Sequence, residues 1–207
     1  MKNIEEKASF FNIKHSLYKQ IDFREIFGND KPITLEIGSG KGEFISTYSR
    51  FYPEKNFVGI ELKDKRIITT LKKLDIEKNS NVRILRLYVD KDIKNYIEPT
   101  SIDEIIVYHP DPWPKTRHHK HRLFKHPFLD AVYPILKLGG YIKISTDDYN
   151  YVNWITKLFQ ERNDFESKYS EGYTMITPED HFKTYFDELK SAEGFDPFFM
   201  MYRKLDK

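Results

Sequence analysis

The chain is 207 residues long, carries 34 Lys and Arg against 32 Asp and Glu for a net charge of +2, and has no cysteine. That length suits one domain with one sizeable core, and the cysteine count excludes disulfides, zinc–thiolate sites and thiol nucleophiles. No apolar run reaches bilayer length, and the stretch from Met1 to Lys7 lacks a signal-peptide core. A cytoplasmic protein with no membrane contact is therefore expected.

Residues 1–31 are weakly patterned and read as an N-terminal arm or a helix packed on a domain of residues 32–207. Regular structure then alternates. Ile33 to Ile37 is a β-rich run ending at glycines, and Gly42 to Arg50 suits a helix stopped by Pro53. Asn56 to Glu61 reads as a second strand. Asp64 starts a helix whose apolar positions Ile67, Ile68, Leu71 and Leu74 recur at helical spacing. Val82 to Leu87 is a third strand, with Tyr88 and Asp90 on one face if it continues. Ile102 to Tyr108 is a fourth, apolar at Ile105-Ile106-Val107 as a central parallel strand would be. A helix fits Leu123 to Leu138, with Gly139-Gly140 as its stop. Tyr141 to Ser145 is a fifth strand and Val152 to Arg162 a further helix. Late strands are expected near Phe165 to Tyr169 and Pro197 to Arg203.

This rhythm predicts an α/β fold with a doubly wound, mostly parallel sheet. Ligands of such sheets sit beyond the carboxyl ends of the strands. Gly38-Ser39-Gly40, Glu61, Asp111 and Asp147 each fall at or just past such an end, so these scattered residues are expected to share one edge.

Glu36-Ile37-Gly38-Ser39-Gly40-Lys41-Gly42 joins a strand to a helix. Glycines permit tight turns, and a helix start offers free N–H groups to an anion. The spacing is G-x-G-x-G, which fits neither the dinucleotide fingerprint nor the P-loop. Taken alone, the cluster is equally a simple turn. Glu61 follows about twenty residues later at the end of the next strand, where an acid accepts from ribose hydroxyls. Glycine turn plus ribose acid resembles the Rossmann-like methyltransferases that use S-adenosylmethionine (SAM). Glu36 matches their pattern as well.

The stretch His109-Pro110-Asp111-Pro112-Trp113-Pro114-Lys115 holds a carboxylate and a large ring between prolines, which stiffen the backbone on both sides. Residues 115–126 then carry Lys115, Arg117, Lys120, Arg122 and Lys125 and no acid. Cationic character is local, the footprint of a binding patch for a polyanion. His118, His119, His121 and His126 share the window, but the surrounding cations oppose a metal ion, so no metal is expected.

Pro110-Asp111-Pro112-Trp113-Pro114-Lys115 with its basic tail resembles the signature of tRNA (guanine-N7)-methyltransferases of the bacterial single-chain type. Phe27-Gly28-Asn29, Glu36-x-Gly-x-Gly-x-Gly, Gly59-Ile-Glu61, Ser145-Thr146-Asp147 and Thr184-Tyr185-Phe186-Asp187 appear in the family's order. The likeness runs from about Asp22 to Arg203. It implies a Rossmann-like methyltransferase fold with an antiparallel C-terminal strand. The implied activity is transfer of a methyl group from SAM to N7 of a guanosine in the variable loop of tRNA. By the same resemblance Asp111 is the active-site acid. SAM contacts fall on Glu36, Gly38, Ser39, Gly40, Glu61, Asp111 and the end of the third strand, at Tyr88 or Asp90. Lys115, Asp147, Thr184, Tyr185, Phe186 and Asp187 align with substrate contacts, and Arg117, His118, His119, Lys120, His121 and Arg122 with the RNA-contacting segment. The chain departs from the pattern at Tyr88, at Phe186 and Asp187, and at His109, which reads as a lining residue. The family occurs as monomers and homodimers. Two other readings stay open: an amino-methyltransferase acting on nucleic acid, and a non-catalytic RNA-binding protein of methyltransferase fold.

Overall fold

The computed structural model describes residues 3–194 and 196–206. Ile4–Phe11 forms helix α1, begun by Asn3, whose side chain accepts the Glu5 N–H at 3.3 Å. Phe11 is fully buried and belongs to the same apolar cluster as Ile67 and Leu71. Asn12–Ile13 (β1) then pairs in parallel with Val82–Leu85, extending the sheet at one edge. Phe23–Phe27 (α2) is capped by Asp22, which accepts the Arg24 N–H at 2.8 Å, and closed by Gly28 at φ 66°. The N-terminal segment thus supplies an edge strand and a core aromatic.

From Ile33 the alternation expected from the sequence appears. Ile33–Ile37 (β2), Glu43–Tyr48 (α3), Asn56–Ile60 (β3), Asp64–Lys73 (α4), Val82–Leu85 (β4) and Ile102–Tyr108 (β5) follow in order. His126–Val132 (α5), Leu136–Thr146 (β6), Tyr149–Gln160 (α6), Phe165–Ser167 (β7), Tyr185–Ala192 (α7) and Phe198–Lys204 (β8) complete the chain. The sheet has eight strands in the order β1-β4-β3-β2-β5-β6-β8-β7. Neighbours from β1 to β6 are parallel, and β8 runs antiparallel to both β6 and β7. Phe11, Phe44, Ile67 and Leu71 belong to one apolar cluster, Phe124, Leu129, Ile155 and Phe159 to the other. Two separate helical cores fit a doubly wound sheet.

Two expected elements differ. The helix expected over Leu123 to Leu138 is only His126–Val132; Pro134 has no N–H to extend it. Gly139 and Gly140 lie inside β6, beside a register shift between Ile102 and Glu104. A Cβ on Gly140 would meet the Asp103 carbonyl at 2.8 Å, and Gly139 has φ 76°. The pair makes a bulge that lets two backbones approach closely, not a helix stop. The third strand ends at Leu85, so Tyr88 and Asp90 lie in the loop beyond it.

The sheet order reverses between β2 and β5, which are direct neighbours in register, Glu36 beside Ile106. That is a topological switch point, where the connections diverge and leave a crevice.

Candidate active site

The first wall is the turn between β2 and α3. Gly38 and Ser39 both donate their N–H to the Ile60 carbonyl at 2.9 Å. Gly38, Gly40 and Gly42 have φ of 80°, 57° and 72°, a region side chains disfavour. Glu61 is buried at the end of β3 and stitches the turn to α4. One of its oxygens accepts from Leu62 and Lys63 N–H (2.8 and 2.9 Å), the other from Gly40 N–H (3.1 Å), with Arg66 at 3.4 Å. A carboxylate so fixed is pre-oriented at the turn, as a ribose contact requires.

Glu36, on β2 behind the turn, is buried, and its Oε2 lacks a hydrogen-bond partner; buried Ser39 Oγ lacks one too. Burial, with Glu61 and Glu43 nearby, pushes the Glu36 carboxyl up to about 8. Two unmatched polar atoms beside a glycine turn fit a ligand bearing hydrogen-bond donors and positive charge, as the amino-acid end of SAM does. When bound, SAM supplies the electrophilic methyl group; Glu36, Ser39, the turn and Glu61 would hold it. An ammonium group against Glu36 would ionise it. SAM binding at pH 7 is therefore expected to release about one proton, seen as a buffer-dependent calorimetric enthalpy that Glu36→Gln removes. The ligand-free protein should also lose stability as pH rises from about 4.3 to about 8, because the folded state retains a proton that the unfolded chain gives up.

Past β4, Tyr88 is 65% exposed. Asp90 is used locally: its Oδ1 accepts the Asp92 N–H at 2.8 Å and its carbonyl accepts from Ile93. The two do not share a strand face, and Tyr88 is the one with a ring available to a purine.

The second wall is the loop after β5. His109 and Trp113 bracket it, both with positive φ (47° and 45°), which costs non-glycine residues about 1–3 kcal/mol each. Three ties hold the loop. His109 N–H donates to the Ser145 carbonyl at 2.9 Å, His109 Nε2 meets Asp187 Oδ1 at 2.6 Å, and Arg122 Nε donates to the Pro112 carbonyl at 2.8 Å. Between the ties Asp111 is exposed. Ser145, at the end of β6, pairs with Tyr108, and Asp147 follows it, half-buried. Glu61, the glycines, Asp111 and Asp147 thus leave the carboxyl ends of four consecutive strands, β3-β2-β5-β6.

Arg122, expected among the RNA contacts, is 2% exposed. Its guanidinium lies over the Tyr151 and Trp154 rings at 5.0 and 4.9 Å, so it clamps the loop from inside. His118 and His121 pack on Trp113 at ring distances of 5.8 and 5.2 Å, and His119 packs on Trp154 at 5.5 Å. Lys115, Arg117 and Lys120 are exposed.

The C-terminal motif also differs from expectation. Asp187 is buried; its Oδ2 accepts from Thr184 N–H (2.7 Å) and Thr184 Oγ1 (2.8 Å), while Asp187 N–H donates back to Thr184 Oγ1 at 3.1 Å. This is a capping box at the start of α7. His109 and His181 close on the same carboxylate, His181 at 3.2 Å. Asp187 and Thr184 therefore turn inward, and His109 is tied to that carboxylate. The side chains of Tyr185 and Phe186 lie outside the described residues. The Thr184-x-x-Asp187 spacing is a readable capping signature; nothing in the sequence marked His181 or Trp154. Among the described residues no three His, Asp or Glu side chains are grouped to hold a metal ion.

Residues 30–188 match a family model described as "Putative methyltransferase". The tRNA (guanine-N(7)-)-methyltransferase of Chlamydia abortus is 31% identical over 191 residues, 92% of this chain and 84% of that protein. That of Listeria monocytogenes is 35% identical over 185 residues, 89% and 86% of the two chains. Among solved structures, the 16S rRNA methyltransferase KamB aligns with a TM-score of 0.66 at 12% identity, covering 91% of this chain and 96% of that one. The fold is that of the Rossmann-like SAM-dependent methyltransferases. With the glycine turn, the buried Glu61 and the Asp-Pro-Trp-Pro loop at one switch point, the chain belongs to the tRNA (guanine-N7)-methyltransferase family, enzymes whose cosubstrate is SAM.

Proposed function

We propose that this chain transfers the methyl group of SAM to N7 of a guanosine in the variable loop of tRNA, in the cytoplasm, with Asp111 as the acid at the reacting base. The observation that carries this reading is the adjacency of β2 and β5, strands about 4.8 Å apart, whose following loops hold Gly38 and Asp111. Residues 32–207 would form the catalytic domain, with residues 1–31 as a clasp along its edge.

Guanine N7 is a lone pair with no proton to lose, so no strong general base is needed. The chain's residues have two tasks. They align the base for in-line displacement, and they offer fixed negative charge where the purine becomes cationic. Asp111, on a loop tied at both ends, suits both. Asp147 would accept guanine N–H donors, and Lys115 would pair with a nearby phosphate. Arg117 and Lys120 would meet the RNA backbone.

Incubating purified chain with SAM and unmodified tRNA, then digesting the RNA for mass spectrometry, tests this. One 7-methylguanosine per tRNA, in the variable loop, is expected. A methylated adenine or cytosine amino group instead would establish the amino-methyltransferase reading. Binding of tRNA with no methylated nucleoside would leave a binding protein.

A further inference from the structure

Next to the loop that carries Asp111, on the far side of Arg122, lies a recess of about 480 Å³. Trp154, Leu158 and Pro127 form its apolar lining, and Lys120, Lys125 and Lys157 stand around it. The indole is 36% exposed, and its N–H is fixed on the Phe124 carbonyl at 2.8 Å. Arg122 bridges the two places: it donates to the Pro112 carbonyl and lies over the Trp154 ring. His119, also lining the recess, has its Nε2 buried without a hydrogen-bond partner. Among the described residues the one acid of the lining, Glu161, is paired with His126 at 3.0 Å.

A rigid aromatic face in an apolar recess ringed by lysines has the chemistry that unpaired nucleotides meet. Bases stack on the ring whatever their sequence, and phosphates pair with the cations. A small apolar ligand would have no use for three lysines, and an acidic peptide would have no use for the indole surface that Arg122 and His119 leave open. The recess is not part of the crevice between β2 and β5.

We propose that this recess receives a base of the tRNA next to the target guanosine, stacked on Trp154 with its phosphates on Lys120, Lys125 and Lys157. Splaying that neighbour out would leave the target guanosine unstacked on one side and free to enter toward Asp111. The inference rests on the tRNA reading above and adds the place where the flanking strand is gripped.

The test measures tRNA affinity by fluorescence anisotropy, independent of turnover, together with SAM affinity and melting temperature. Lys157→Glu, on an exposed position, is expected to weaken tRNA binding about tenfold with SAM affinity and melting temperature unchanged. Trp154→Ala is expected to weaken it by at least as much, and Trp154→Phe to restore most of the loss. On tRNA made abasic at the flanking position that occupies the recess, the Trp154→Ala penalty should disappear, because the base it stacks is already gone. Wild-type affinity in Lys157→Glu overturns the proposal. So does a Trp154→Ala penalty that persists on abasic tRNA at both flanking positions, which would make the indole only a support for Arg122. Should the wild-type chain form no 7-methylguanosine at all, the functional reading itself falls, a result read from nucleoside analysis and not from these affinities.

Discussion

Replacing Asp111 with alanine should lower turnover of tRNA methylation by about 10²- to 10³-fold, the range seen when one pre-organised electrostatic contact to a developing charge is removed. The affinity for tRNA should change little, because phosphate contacts dominate binding of nucleic acid, and Asp111 makes none. Stability should also hold. The side chain is exposed, and surface substitutions away from packed features stay within about 0.5 kcal/mol. Asp111→Asn retains a carbonyl oxygen for guanine donors but removes the charge. It should fall between the two, which separates gripping the base from stabilising its cationic form. Turnover within a few-fold of the wild type in Asp111→Ala, under single-turnover conditions, would remove this residue from the chemistry. The loop geometry makes the expected loss large. With His109 and Trp113 at positive φ and the Pro112 carbonyl held by Arg122, Asp111 is carried by a stiff segment, so its charge is pre-positioned.

The fold was legible where one physical signal acted alone. Ile105-Ile106-Val107 had to be a central strand, since only burial on both faces tolerates such a run, and β5 spans Ile102–Tyr108 as expected. The crevice was legible too, because strand ends carry the glycines and the acids. Gly139-Gly140 was ambiguous, since a glycine pair suits a helix stop and a bulge equally well; the Asp103 carbonyl that decides it is more than thirty residues away. Arg122 and Lys120 look alike in a run of cations. What separates them is the Trp154 and Tyr151 rings of α6, a tertiary contact that leaves no mark in the local sequence. The pairing of His109 with Asp187 crosses 78 residues and was equally invisible, although the capping half of Asp187's role could be read from its spacing to Thr184.

Asp187→Asn should destabilise the protein by about 3 kcal/mol, as expected when a buried charged acceptor with several partners loses its charge. The carboxylate holds three things at once: the start of α7 through Thr184, His181 on the same segment, and His109 at the root of the loop that carries Asp111. Burial alone would raise its ionisation, but the hydrogen bonds from His109 and His181 outweigh that and keep it well below the ordinary carboxylate range. The sign of the linkage follows. A depressed acid stabilises the folded state at pH values above its unfolded pKa of about 3.9, and that contribution fades as pH falls through the lower folded value. Wild-type stability should therefore drop with acidification below about pH 4, and the Asn variant should show a flatter acid limb. The loop should loosen with it, so that turnover falls while the KM for tRNA stays near the wild type. If Asp187 instead gripped guanine directly, the variant would keep its melting temperature and raise KM, and that pattern would reassign this carboxylate from the loop to the substrate.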